Sequence, residues 1–166
     1  VMFSSQKTTW NTPAWLFEEI EKVGSIILDP CWNDGCPIHP PHTFEKEQDG
    51  LVRDWNVGPG IVYVNPPYGR EARAWSQKIY DESGRVDQLV ALMPARVDTR
   101  WFQEYISKAD IICFMKGRLR FGNSKNSAPF PSLVAYWGSN QSTFLTVFSQ
   151  HGTCFKHARL TEELDS

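Results

Sequence analysis

Short apolar runs alternate with segments of helical periodicity along the chain, and this alternation restricts the possible folds more than any other sequence feature. The runs stop at or near turn-forming residues, as is typical of strands buried on both faces of a sheet. Four of them lie at 26–28, 61–64, 88–93 and 111–115. The pattern predicts an α/β fold with a mostly parallel sheet, in which ligands bind outside the carboxyl ends of the strands.

Three helices are predicted among these strands. The first has Thr12 as its N-cap and Pro13 as its first residue, and it places its apolar side chains on one face before Gly24. The second spans about 71–82, and the third is capped by Asp98. Because the strands are expected to be covered on both faces, these helices are the elements available to cover them.

The rest of the chain is predicted from turn residues and alternation. Two strands, 133–137 and 143–148, are expected to form an antiparallel hairpin at one end of the sheet. Residues 30–60 are rich in Pro, Gly, Asp and His and are expected to be irregular, except for a turn or short strand at 51–55. Residues 116–131 are predicted to form a second long loop, and long loops are often functional.

Length and composition indicate one globular domain over residues 1–166, because the chain is long enough to bury a core and 41% of its residues are hydrophobic. No apolar run approaches the roughly 18 residues of a membrane span, and no signal peptide is recognisable. The four cysteines are too few for a disulfide framework and favour a reducing compartment. We therefore expect a cytoplasmic protein without a membrane segment.

The charges are unevenly distributed along the chain, although the net charge is only −2. Residues 18–54 contain nine acids and three Lys or Arg, whereas residues 69–125 contain eleven Lys or Arg and seven acids. A polyanion would therefore meet the second segment. Scattered, solvated charges are the alternative interpretation.

Asn65-Pro66-Pro67-Tyr68 follows the predicted strand 61–64 and is the most informative motif. Each proline fixes φ and has no N–H, so the Asn side-chain carbonyl and the adjacent backbone carbonyls form a rigid set of acceptors. Such a set suits a planar –NH₂ group, and the tyrosine ring can stack on the attached heterocycle. The alternative is a proline-rich turn with an Asn cap and a buried tyrosine.

The motif series resembles that of the phage-type DNA N6-adenine methyltransferases. The matching pieces cover about residues 4–137 and occur in family order: "WNTP", "LDPC", "DGLVRDW", "VYVNPPYGR", "ALMPARVDTRWF", "MKGRLRFG" and "APFPS". The resemblance implies an abbreviated, Rossmann-like class I methyltransferase fold, S-adenosyl-L-methionine as methyl donor, and double-stranded DNA as partner of a monomer or weak homodimer. It also implies a phage or prophage gene product in a bacterial cytoplasm.

For catalysis, the resemblance implies that the Asn65 side chain and the Pro66 carbonyl accept both N–H bonds of a flipped adenine, while Tyr68 stacks on the base. Cytosine N4, an RNA adenine or a glutamine amide would present a similar amine. A catalytically inactive, nucleic-acid-binding domain is the alternative from a different class. The residues implied in catalysis are Asn65, Pro66, Pro67 and Tyr68.

For the cofactor, the resemblance implies a carboxylate near the methionine ammonium, an N-terminal motif closing over the methionine end, and an acid with an adjacent tryptophan near the adenosine. Turn-capping is the alternative role for the first acid, and a merely structural role for the second. The ribose contact is unassigned, since no second strand ending in an acid is evident. Asp29, with Pro30, is the carboxylate near the ammonium, and Trp10, Thr12 and Pro13 form the N-terminal motif. Asp54 is the acid near the adenosine, with Trp55 beside it, and Asn65 also borders the cofactor.

For DNA, cations that alternate with an aromatic residue after strand 111–115 suit phosphate contacts and base stacking. The predicted contacts are Arg70, Lys116, Arg118, Arg120, Phe121 and Phe130. Both phenylalanines are alternatively core residues. Arg73, Arg96 and Arg100 are alternatively solvated helix charges, as is Arg70, which we favour because it adjoins the motif.

Cys31, Cys36, His39 and His42 form a competing constellation. Two thiols and two imidazoles within twelve residues suggest zinc, but the C-x4-C-x2-H-x2-H spacing is tight at its histidine end and is interrupted by prolines. We therefore predict no metal.

Overall fold

The computed structural model describes residues 10–122 and 124–158. Four α-helices, two short 3-10 helices and seven strands follow one another in this part of the chain. In chain order they are α1 (Ala14–Glu21), β1 (Ile26–Asp29), β2 (His42–Thr43), a 3-10 helix (Lys46–Gln48), β3 (Ile61–Val64), α2 (Ala72–Ser83), β4 (Gln88–Pro94), α3 (Arg100–Glu104), a 3-10 helix (Ile106–Lys108), β5 (Ile111–Met115), β6 (Ser132–Trp137), α4 (Gln141–Phe148) and β7 (Gly152–Lys156).

The strands form one mixed sheet in the order β2-β1-β3-β4-β6-β5-β7. The first four strands of this order are parallel, and β6 then pairs antiparallel with both β4 and β5. At the edge, β7 pairs antiparallel with β5. The predicted α/β class is confirmed. The sheet was expected to be mostly parallel with an antiparallel hairpin at one end; three of its six strand pairs are parallel, and the other three are antiparallel.

Both faces of the sheet are buried under helices. Ile61 and Tyr63 of β3 belong to the core that α1 and α4 cover, whereas Val62 and Val64 belong to the core that α2 and α3 cover. Side chains of a strand point alternately to the two faces, so a strand that is buried on both sides must be apolar throughout. This explains why the strand signals were continuous apolar runs.

The connections around β1 create a crevice at the carboxyl end of the sheet. From β1 the chain passes to β2 on one side, and then returns to β3 on the other side of β1. Such a reversal between adjacent parallel strands is the switch point at which α/β proteins bind ligands. Asp29 ends β1 and Asn65 follows β3, so both residues are at this crevice.

The predicted hairpin at the end of the chain is wrong. Residues 143–148 lie in α4, and the edge strand is β7, which was not predicted. Phe144, Val147 and Phe148 are buried at helical spacing, and the Phe144 ring stacks on Tyr136 with a centroid distance of 4.8 Å. The β-branched and aromatic composition suggested a strand, but this tertiary packing favours a helix.

Three further details differ from the predictions. The helix α1 begins at Ala14 with Pro13 as N-cap, because the Thr12 hydroxyl is bonded elsewhere. The N-cap of α3 is Thr99, whose Oγ1 accepts a hydrogen bond from the Phe102 N–H at 3.3 Å. An additional short strand, β2, lies within 30–60, whereas the predicted turn or short strand at 51–55 is a turn, in which the Val52 N–H donates to the Asp49 carbonyl at 3.1 Å. Among the described residues, no helix has the length and apolar character needed to cross a membrane.

Candidate active site

A cavity of about 460 Å³ lies at the carboxyl ends of β1 and β3, which is a typical size for a small-molecule site. Its lining comes from parts of four segments: 10–17, 29–36, 45–51 and 63–75. The predicted site residues that line it are Trp10, Thr12, Asp29, Pro30, Asn65, Pro66 and Pro67. The structure therefore brings the N-terminal motif, the end of β1 and the Asn-Pro-Pro turn together.

The carboxylate of Asp29 is buried in this cavity, with 5% of the residue exposed. Its Oδ1 accepts a hydrogen bond from the Cys31 N–H at 2.8 Å, which is the turn-capping contact considered from the sequence. Burial raises the pKa of Asp29 to about 7, although the Cys31 bond opposes this. Within the described chain, no cation forms a salt bridge with Asp29.

The raised pKa of Asp29 has a definite effect on stability. The folded state holds this proton more tightly than the unfolded state, whose carboxyl titrates near 3.8. The stability contributed by the protonated form is therefore complete below pH 4 and is lost as the pH rises through about 7. At neutral pH a bound cation would offset this loss, and the site thus favours a ligand with a positive charge.

The amide of Asn65 is held by the N-terminal segment. Its Nδ2 donates to the backbone carbonyl of Trp10 and to Thr12 Oγ1, the latter at 3.3 Å. On the other side, Asn65 Oδ1 accepts a hydrogen bond from the Tyr68 hydroxyl at 2.6 Å. This pattern fixes which end of the amide is the oxygen, and it leaves Oδ1 with capacity for a second donor.

Thr12 connects Asn65 to the core. Its Oγ1 shares a hydrogen bond with the Tyr63 hydroxyl, and both residues are buried, at 3% and 1% exposure. Burial raises the pKa of Tyr63 well above its usual value, so the phenol stays neutral. The Tyr63 ring packs edge-to-face on Phe17 of α1. The sequence analysis did not identify Tyr63 as a site residue. Its position in strand 61–64, on the face of the sheet that α1 covers, was a usable signal.

Four aromatic rings, which we call the aromatic cluster, lie beside the Asn65-Pro66-Pro67-Tyr68 turn: Trp10, Tyr68, Phe121 and Phe130. Phe130 packs edge-to-face on both Trp10 and Tyr68, with centroid distances of 5.3 and 5.4 Å. Phe121 contacts the same tryptophan at 5.5 Å. Phe121 and Phe130 are 4% and 7% exposed, as the core interpretation expected. The cluster therefore packs around Tyr68, the last residue of the Asn65-Pro66-Pro67-Tyr68 turn.

Acidic residues follow β2 at the opposite end of the cavity. Glu45, Lys46 and Asp49 line it, and Glu45 lies two residues after β2, which pairs with β1. Gly50 permits a close approach here, because a Cβ on it would lie 2.4 Å from the Pro30 carbonyl oxygen. A second strand followed by an acid is thus present, and it escaped prediction because a two-residue strand has no detectable periodicity.

Comparison with known proteins agrees with this geometry. A family model of DNA N-6-adenine-methyltransferases (Dam) matches residues 2–150. The chain belongs to this family. It is also similar to a DNA N-6-adenine-methyltransferase of Haemophilus phage HP1, with 27% identity over 130 residues that cover 73% of this chain and 70% of the relative. The resemblance to the phage-type adenine methyltransferases is therefore confirmed.

Three residues expected at the cofactor of a Dam-family protein, Pro13, Asp54 and Trp55, do not line the cavity. Asp54 is exposed, and its carboxylate pairs with Arg85 at 3.1 Å and accepts from the Asn56 N–H at 2.9 Å. Trp55 is fully buried in the core and donates from Nε1 to the Gly50 carbonyl at 2.8 Å. Trp75 of α2 stacks on Trp55 and lines the cavity, as do Trp10 and Trp32. The structural alternative considered for Asp54 fits this placement.

The zinc alternative finds no support in this Dam-family chain. No group of three or more His, Cys, Asp or Glu side chains suited to a metal occurs within 10–122 and 124–158. Cys31 and Cys36 line the cavity, whereas the His39 ring packs on Trp32, with 4.5 Å between centroids, and its Nδ1 is bonded to the Pro40 carbonyl. The four residues therefore do not form one coordination sphere.

The predicted DNA-contacting cations are all exposed. Arg70 follows Gly69, which comes directly after the Asn65-Pro66-Pro67-Tyr68 turn and has a φ of 100° that favours glycine. Arg118 and Arg120 are exposed on either side of the buried Leu119. Among the competing arginines, Arg73 and Arg100 both pair with Glu104, at 3.6 and 3.3 Å, and Arg96 lies over the Phe130 ring.

Proposed function

We propose that this Dam-family protein transfers a methyl group from S-adenosyl-L-methionine to the N6 amine of adenine in DNA, with the base held at Asn65-Pro66-Pro67-Tyr68. The observation that carries the proposal is the fixed amide of Asn65 in the same cavity as the buried Asp29 carboxylate, which pairs with no cation of the described residues. One group presents an acceptor for an amine, and the other favours a positively charged ligand. A binding module would need neither group in this arrangement.

The cavity residues fit the proposed cofactor. The buried Asp29 carboxylate would pair with the methionine ammonium, and this would offset the unfavourable ionisation described above. Glu45, after β2, would accept hydrogen bonds from the ribose hydroxyls, for which no residue was assigned from the sequence. Trp10 and Thr12 close the cavity next to Asn65. When bound, S-adenosyl-L-methionine supplies an electrophilic methyl group on its sulfonium.

Asn65 and Pro66 would then prepare the amine. Asn65 Oδ1, already bonded to Tyr68, has one acceptor position left, and the Pro66 carbonyl lacks the constraint of a helix or strand partner. If each accepts one amine N–H, the nitrogen lone pair is drawn out of conjugation with the purine and directed towards the methyl donor. The amine loses its proton as it gains the methyl group, so no strong base is required before attack.

The base would enter through the aromatic cluster. Phe130 now occupies the position edge-on to the Tyr68 ring, and a flipped adenine that stacks on Tyr68 would have to displace it. Base flipping in general places the target between aromatic or apolar side chains. We infer that Tyr68 and Phe130 exchange their mutual contact for contacts with the base. A Rossmann-like methyltransferase fold is consistent with this arrangement, because both reacting groups would bind at the switch point between β1 and β3.

Labelled S-adenosyl-L-methionine tests the function. The protein is incubated with duplex DNA, single-stranded DNA, RNA or a protein mixture, and the labelled nucleosides are identified. We expect N6-methyladenine in duplex DNA, and loss of at least about 100-fold in kcat for Asn65→Ala. Asn56→Ala, which changes an exposed asparagine outside the cavity, is the matched control and should keep full activity. Label in cytosine, RNA or protein alone would contradict the proposal.

A further inference from the structure

A second groove, separate from the cavity described above, lies beside the segment 116–120 and has a volume of about 390 Å³. Three cations line it, namely Lys116, Arg118 and Arg120. Trp15 of α1 and His151 line the same space, which we call the basic groove. Nucleic-acid strands are bound by this combination of groups, because cations contact phosphates and an exposed ring stacks on bases.

The cations of the basic groove are available to a ligand. Arg118 and Arg120 are exposed, whereas Leu119 and Phe121 are 5% and 4% exposed, which is the alternation of an extended segment with one buried face. In the part of the chain that the structure describes, none of the three cations forms a salt bridge. Their positive charges are therefore not neutralised by a described carboxylate.

Trp15 provides the stacking surface. It is 40% exposed, although most large apolar side chains of α1 are buried. Its ring lies 5.2 Å from the His151 ring between centroids, and His151 Nε2 is bonded to Glu19 at 2.7 Å. Glu19 also pairs with Lys22 at 2.6 Å, so the carboxylate bonded to His151 has a second partner, a cation, of its own. The Trp15 indole therefore packs against the His151 ring on one side and remains accessible to a ligand.

Two consecutive residues connect the basic groove to the proposed base site. Arg120 lines the groove, and the next residue, Phe121, packs on Trp10 in the aromatic cluster. Phe121 also contacts Phe130, which in turn contacts Tyr68. A nucleotide bound in the groove would therefore contact residues adjacent in the chain to the aromatic cluster, where the target adenine is expected.

We propose that the basic groove binds an unpaired nucleotide of the DNA strand next to the target, with its phosphates on Arg118 and Arg120 and its base stacked on Trp15. This inference rests on the proposed DNA substrate. It assigns Trp15 to the DNA interface, where neither the motif series nor the cavity places it. Since every base has a π-face, the contact is tolerant of sequence and would strengthen binding without selecting a recognition site.

Fluorescence anisotropy without cofactor tests this inference. Two labelled duplexes are compared, one blunt and one with a single-stranded extension, placed on the 5′ or the 3′ side. We expect the extension to tighten binding about tenfold, Trp15→Ala to abolish this gain, and Trp15→Phe to keep most of it. Tyr80→Ala is the matched control, because Tyr80 is a similarly exposed aromatic residue on α2. A gain that persists in Trp15→Ala would overturn the proposal.

The cations are tested by the salt dependence of the same measurement. Arg120→Gln should reduce the slope of log K against log salt concentration by about 0.9, whereas Lys108→Gln, an exposed lysine outside the groove, should leave it unchanged. An unchanged slope in Arg120→Gln would contradict the phosphate contact. Binding of anionic vesicles that depends on Trp15, combined with DNA binding that does not, would assign the groove to a lipid surface and overturn the proposal.

Failure of this inference and failure of the proposed activity are distinguishable. If the wild-type chain binds the extended duplex in a Trp15-dependent way but methylates no DNA adenine, the proposed activity fails and the groove assignment stands. If methylation proceeds with the same KM for DNA in Trp15→Ala and the gain in binding persists, the groove assignment fails alone.

Discussion

Replacement of Thr12 by Val tests whether the buried hydroxyl groups of Tyr63 and Thr12 orient the Asn65 amide for the proposed methyl transfer. Val has nearly the same shape but no hydroxyl, so Asn65 Nδ2 would keep only the Trp10 carbonyl as acceptor. The Tyr63 hydroxyl, whose described partner is Thr12, would lose that partner inside the core. The substitution thus affects stability through Tyr63 and catalysis through Asn65.

The two effects have different magnitudes and can be separated. A buried hydroxyl left without a partner costs about 2 kcal/mol, which lowers Tm by about 6 °C in a chain of this length. Removing both hydroxyls is nearly neutral, so Thr12→Val combined with Tyr63→Phe should recover most of this Tm. The Asn65 amide remains less constrained in the double variant. We therefore expect its kcat to stay about tenfold below wild type, corresponding to roughly 1.4 kcal/mol.

Thermal unfolding and single-turnover methylation of duplex DNA measure the two quantities on the same samples. Tyr63→Phe alone serves as the control, because it leaves the Thr12 hydroxyl bonded to Asn65 Nδ2 and should keep most of the activity. Recovery of both Tm and kcat in the double variant would refute the positioning role. Thr12 would then act on activity only through stability.

Three further outcomes are expected. Asp29→Asn should raise Tm at pH 8 and remove the fall in the free energy of unfolding between about pH 4 and pH 7, which is on the order of 4 kcal/mol. Calorimetry should show that this variant binds S-adenosyl-L-methionine at least tenfold more weakly than the wild-type protein. A wild-type pH profile of stability in the variant would contradict the assignment. Tyr68→Phe should lower kcat less than Tyr68→Ala, because the ring remains and only the bond to Asn65 is lost; equal losses would assign the effect to the hydroxyl. Glu45→Gln should weaken cofactor binding about fivefold, while Glu47→Gln in the 3-10 helix that Glu45 precedes should not, and equal affinities would exclude the ribose contact.

The strands near the site were predictable because burial on both faces produces an unambiguous signal. The runs 61–64 and 111–115 coincide with β3 and β5, and those at 26–28 and 88–93 lie within β1 and β4. Residues 143–148 were not predictable from composition, because β-branched and aromatic residues also suit a helix that packs between Tyr136 and α1. The sequence did not predict β7. Its first residue is Gly152, and a Cβ at this position would lie 2.2 Å from the Phe114 carbonyl oxygen of β5.

The site was predicted best where one residue ends a strand. Asp29 and Asn65 were placed correctly at one cavity, since adjacent parallel strands bring their carboxyl ends together. Asp54 was not, because an exposed loop carboxylate can pair locally, as it does with Arg85. Contacts between Thr12, Tyr63 and Asn65 join residues more than fifty positions apart, and no local pattern encodes them.

The hydrogen bonds of Asn65 explain why an internally bonded amide can still receive a substrate. Its Nδ2 has two protein acceptors, whereas Oδ1 has one donor, the Tyr68 hydroxyl. Rotating the amide by half a turn would place Oδ1 against the Trp10 carbonyl oxygen with no hydrogen between them, so only one orientation is stable. In that orientation the unused capacity is a single acceptor position on Oδ1. A ligand group at Asn65 Oδ1 must therefore be a hydrogen-bond donor rather than an acceptor, and an exocyclic amine is such a donor.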